Sequence, residues 1–143
     1  MSCVLATLNP VTDRTLVAQL VASISPSLPQ GFTLEPVGDG IVIRRADDPV
    51  GAHCHFSDLV MHGAEGALTA TLNLLDLVQD YISISTSEPW PRSTASARGD
   101  HIPHPEVEVV DGVLKLWFGS RDEPAIRFRS IPLGGGGLDR CPW

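Results

Sequence analysis

Two alternating runs flank Asp111-Gly112 within residues 106–118, and no other feature constrains the fold of this chain as tightly. An Asp-Gly pair between runs of period two specifies a two-residue type I′ turn, because both central residues must take positive φ. Such a turn leaves no freedom of register. Val110 must face Val113, Val109 must face Leu114, Glu108 must face Lys115 and Val107 must face Leu116. Successive strand residues point to opposite sides, so Val107, Val109, Leu114, Leu116 and Phe118 share one face, while Glu106, Glu108, Lys115 and Trp117 share the other. Glu108 opposite Lys115 predicts a cross-strand ion pair. The result is a sheet with one apolar face for a core and one decorated face.

The same parity extends through residues 31–56. A Gly38-Asp39 turn places Phe32, Leu34, Ile41 and Ile43 inward, and Thr33, Glu35, Val42 and Arg44 outward. After a turn at Asp47-Asp48-Pro49, a third strand over 52–56 turns Cys54 and Phe56 inward and His53 and His55 outward. A last strand over 125–131 puts Ile126 and Phe128 inside, with Arg127 and Arg129 outside. Two helices interrupt the strands. The first, capped by Thr12 or Asp13 and stopped by Pro26 and Pro29, presents Leu16, Val17, Leu20, Val21 and Ile24. The second, over 65–82, carries a stripe of Leu68, Leu72, Leu75, Val78 and Ile82, widened by Leu74, Leu77 and Tyr81. So wide an arc predicts contact with both the sheet and the first helix, or a subunit joint.

The order α-β-β-β-α-β-β-β describes an α+β two-layer sandwich, a mostly antiparallel sheet with two helices on one face. With 143 residues the chain suits one core, burying roughly 70% of its unfolded surface. Residues 1–133 read as that single domain, with a long loop at 85–105, and 134–143 as a flexible Gly-rich tail.

A formal net charge of −7 argues against nucleic acid, whose binding relies on neutralising phosphates, and leaves basic proteins and cationic small molecules open. No run reaches the length of a membrane span, and the first residues lack a secretory signal pattern. Three cysteines without CxxC spacing fit a reducing cytoplasm, with Cys54 as a small core residue; a Cys3–Cys141 bridge remains open. Layout, size and acidity together resemble the small secretion-chaperone fold. That resemblance implies an acidic homodimer that binds partner proteins without chemistry. It is carried by architecture alone, and the closing helix of that fold is replaced here by the Gly-rich tail, so it assigns no residue a role.

Candidate sites are sparse. His53 and His55 project to one side of a strand, and with Asp58 and nearby His62 they offer a zinc shell for a metal-assisted hydrolase. Solvated edge histidines are the plainer reading, since neither HExxH nor paired CxxC accompanies them. Asp100, His101 and His104 could complete a cluster, although Pro103 and Pro105 favour an extended loop there. Asp76 and Asp80, one turn apart, read as a solvated helix face. No nucleophile occupies a G-x-S-x-G elbow, Gly134 to Gly137 lacks the Lys and helix of a phosphate loop, and Arg98-Gly99-Asp100 is a three-residue coincidence.

The outward sheet face is the stronger candidate. Trp117 among Arg44, Arg127 and Arg129 combines the residue types most enriched at binding hot spots. Trp90, held between Pro89 and Pro91, is either a second anchor or a lid folded back on the core. The expectation is a protein-binding module without cofactor, homo-oligomeric, using Trp117, Arg127, Arg129, Trp90 and Arg44. A metal-assisted hydrolase and a structural subunit of a larger assembly are the alternatives.

Overall fold

The computed structural model describes residues 13–38, 40–56, 63–91 and 103–133. Within them α1 (Asp13–Ile24) runs into a 3₁₀ turn at Ser25–Ser27, where Pro26 sits in the first turn and its missing N–H costs nothing. The strands β1 (Phe32–Val37), β2 (Gly40–Arg45) and β3 (Ala52–His55) follow. Next comes α2 (Gly63–Thr86), then β4 (Pro105–Val110), β5 (Val113–Gly119), β6 (Pro124–Arg127) and β7 (Ile131–Pro132). This is the α+β order that the sequence predicts. Cys3, Cys141, Asp58, His62, Asp100, His101, the 98–100 tripeptide and the 134–143 tail lie outside the described residues.

Both hairpin registers follow from their turns. Val37 pairs with Gly40 and Leu34 with Ile43; Val110 pairs with Val113 and Glu106 with Trp117. Asp111 and Gly112 have φ of 53° and 75°, the two positive values a type I′ turn demands. The strands do not form one continuous sheet, however. β1-β2-β3 is one antiparallel sheet, and β4-β5-β6, with β7 also on β5, is a second. The helices join the two: α1 packs against β1, β2 and β7, while α2 packs against β2, β3 and β4.

The expected strand over 125–131 is broken. Trp117 pairs with Arg127 and Leu114 with Ile131, so three residues (128–130) on one strand stand against two (115–116) on the other. The extra residue is a bulge that shifts parity. Phe128 still points inward and donates its N–H to the Leu116 carbonyl (3.2 Å), yet Ile131, which strict alternation would turn to solvent, is buried as well.

The inward residues of both sheets and the apolar sides of both helices form one core cluster, with Leu16, Ile43, Leu74 and Phe118 fully enclosed. On α2 the buried stripe is Ala67, Ala70, Thr71, Leu74, Leu75, Val78 and Ile82; Leu68 and Leu72, expected at its centre, are half-buried on its flank. Small side chains let the helix approach the sheets closely, and Thr71 is silenced by donating to the Ala67 carbonyl at 2.7 Å. Thr69, Asn73, Asp76 and Asp80 face solvent as their spacing predicts. The helix ends at Ser87, in the left-handed region at φ 58°.

Candidate functional site

Alternation along β5 puts Lys115 and Trp117 on the side of the second sheet away from the helices. Pairing then sets Arg127 of β6 directly across from Trp117, and Glu108 of β4 across from Lys115. Trp117 is absent from the core cluster, but neither is it open: 8% of its surface is accessible. Its indole N–H donates to the Gly119 carbonyl at 3.1 Å, and the Arg121 guanidinium lies over the ring, 5.5 Å from its centroid. That is a cation–π stack, worth about 0.5–1 kcal/mol at an exposed site.

Arg121 also settles the expected Glu108–Lys115 ion pair differently. Lys115 stands opposite Glu108, but the carboxylate is held by Arg121 at 2.5 Å. Arg127 donates one Nη2 bond to the Arg121 carbonyl (3.1 Å), so both arginines are tied to the same loop. Beside them lies a depression of about 310 Å³, bordered by Glu108, Lys115, Trp117, Arg121, Arg127 and Ser130. Phe128 and Ser130 of the bulge also line it. Arg129 is exposed beyond it, and its carbonyl accepts a 2.7 Å bond from the buried Ser23 hydroxyl of α1.

The division into two sheets separates Arg44, His53 and His55 from this group. Arg44 bonds Glu35 across the hairpin at 2.7 Å, and between them Val42 is 5% exposed although it points outward. His53 and His55 are exposed with their rings nearly parallel, centroids 6.1 Å apart. Asp58, their proposed third ligand, is outside the described residues, and among those described no group of three ligating side chains converges.

Trp90 folds back. Its ring meets Phe118 edge-on at 5.5 Å, and its backbone N–H donates to the Ser83 hydroxyl at 3.0 Å. An apolar groove of about 400 Å³ remains beside it, between Pro29, Ile82, Pro91 and Ile126.

A polar cluster that sequence patterning missed joins the β2–β3 turn to α2. The Tyr81 hydroxyl donates to the Asp48 carboxylate (2.6 Å) and accepts the Arg45 N–H (3.0 Å). Asp48 also caps its own turn by accepting the Val50 N–H at 3.0 Å. The Tyr81 bond, then the backbone bonds, hold the Asp48 carboxyl below its ordinary range. Burial, reinforced by Asp48, pushes the Tyr81 phenol up. Asp48-Pro49 signals a turn, but nothing local in the sequence says that Tyr81, 33 residues later, will meet it. The cluster braces the first sheet.

No helix among the described residues is long and apolar enough to cross a membrane. No family model, no curated protein and no solved structure matches this chain.

Proposed function

We propose that this chain is a non-catalytic protein-binding module, chaperone- or adaptor-like, working in the cytoplasm as a homo-oligomer. It meets its partner with the outward face of the β4–β7 sheet. The observation that carries the proposal is the Trp117–Arg121 stack with Arg127 alongside, at the rim of a depression and outside the core. An arginine laid on an indole has already lost part of its rotamer freedom, so a partner that hydrogen-bonds it incurs a smaller ordering cost.

Because Trp117 is covered, truncating it tests packing as much as docking. The sharper variant is Arg121→Ala with Arg127→Ala, both exposed. The double variant keeps the native circular dichroism spectrum and recovers at least tenfold less of a partner that co-purifies with the wild-type chain from native lysate. A folded variant that retains the same partner at the same yield refutes the proposal.

The parallel pair His53 and His55 favours a second function, a zinc-assisted hydrolase. Stoichiometric zinc in the purified protein, lost in His53→Ala, would support it.

A further inference from the structure

The net charge of the chain favours basic partners, but the depression beside Trp117 has the opposite local balance. Six basic side chains fall among the described ones: Arg44, Arg45, Lys115, Arg121, Arg127 and Arg129. Arg44 is neutralised by Glu35, Arg45 by Asp47 at 3.5 Å, and Arg121 by Glu108. Among the described residues, no carboxylate lies within ion-pair distance of Lys115 or Arg127. These two border the depression from adjacent strands, together with Arg121. The one carboxylate at the rim, Glu108, is taken by Arg121; Glu106, Asp122 and Glu123, the nearby acids, do not line it.

Resting on the protein-binding role proposed above, we infer that this depression receives the carboxylate of an Asp or Glu side chain from an acidic segment of the partner protein. Arg127 is held by one nitrogen on the Arg121 carbonyl, which orients its planar fork and leaves further N–H donors for a carboxylate. Lys115 adds a second charge two residues along β5 from Trp117. The bulge supplies the room, because a regular ladder would bring 128–130 flush against β5. On a negatively charged molecule a cationic recess attracts the acidic chain that the net charge repels, so the recess sets how the partner lands.

The test is calorimetric titration of the full chain with a capped ten-residue peptide alternating Glu and Ala, its Lys/Ala counterpart, and inorganic phosphate. The expected result is saturable binding of the Glu peptide alone, weakened at least tenfold by Arg127→Glu and by Lys115→Glu. Both sites are exposed, so the variants keep their fold, checked by circular dichroism. Absence of binding, or unchanged affinity in both variants, overturns the inference. Equal binding of the Lys peptide overturns the carboxylate preference but leaves docking at this face intact, whereas loss of the face itself is read by the Arg121/Arg127 capture experiment. Phosphate binding as tightly as the Glu peptide marks a free-anion site and also overturns it.

Discussion

Burial pushes the Cys54 thiol up to about 11, because the inward side of β3 strips a thiolate of its solvation. At pH 8 about one molecule in a thousand would carry the reactive thiolate there. Iodoacetamide should therefore leave Cys54 unmodified in the folded protein and label it in urea, as peptide mass mapping reads directly. Gly40 is equally constrained. A Cβ at this position would run into the Cys54 carbonyl oxygen across the β2–β3 ladder, and backbone cannot yield as a side chain can. Gly40→Ala should cost about 2 kcal/mol or more, measured as a loss of urea midpoint at unchanged slope. Trp117 shows where residue-level foresight stops. Alternation assigns its side of the sheet, but its cover is Arg121, four residues on and past the strand end. Parity says nothing about where a loop side chain will lie.

Single elements were the most legible level, because period two combined with a two-residue turn leaves one register. Asp111-Gly112 and Gly38 each carried enough local chemistry to place a whole hairpin. The bulge at 128–130 carried none: Arg129 and Ser130 are as compatible with a regular strand as with a kink. It yields a prediction of its own. Deleting Ser130 would restore equal residue numbers on the two strands while Ile131 still faces Leu114, merging β6 and β7 into one strand. The variant should stay folded, with a thermal midpoint within a few degrees of wild type, and should lose binding of the Glu peptide as the recess closes. The Tyr81–Asp48 clasp between the β2–β3 turn and α2 makes a pH prediction. A carboxyl depressed in the folded state contributes stability above its ordinary value near 3.8, and that contribution disappears as pH falls through the folded value. Tyr81 acts at the other end, since a raised phenol contributes below 10 and is lost as pH rises through its folded value. Tyr81→Phe should lower stability at neutral pH and flatten the acid limb of a urea-midpoint profile measured from pH 6 to 2.

At the scale of the whole molecule, the split into two sheets was hidden from the sequence because it depends on pairings across residues 57–104, which no local pattern encodes. The α2 stripe misled for a related reason. Leucines rank high in any apolar pattern, yet Ala67, Ala70 and Thr71 face the strands while Leu68 and Leu72 are left half-covered. That half-covered flank is where the proposed self-association would act. Light scattering should give about twice the monomer mass, and Leu68→Asp with Leu72→Asp should return it to one.

Among the described residues the two sheets have four lateral borders where one would have two, and a border strand is where a passing chain can add its own amides and carbonyls. Proline, which withholds one donor, occupies three of them: Pro36 in β1, Pro105 in β4, and Pro124 and Pro132 along β6 and β7. The fourth, β3, has none among its four residues, Ala52–His55. If this protein ever stacks into fibrils, growth should run along a border relieved of its proline, so Pro36→Thr should hasten it.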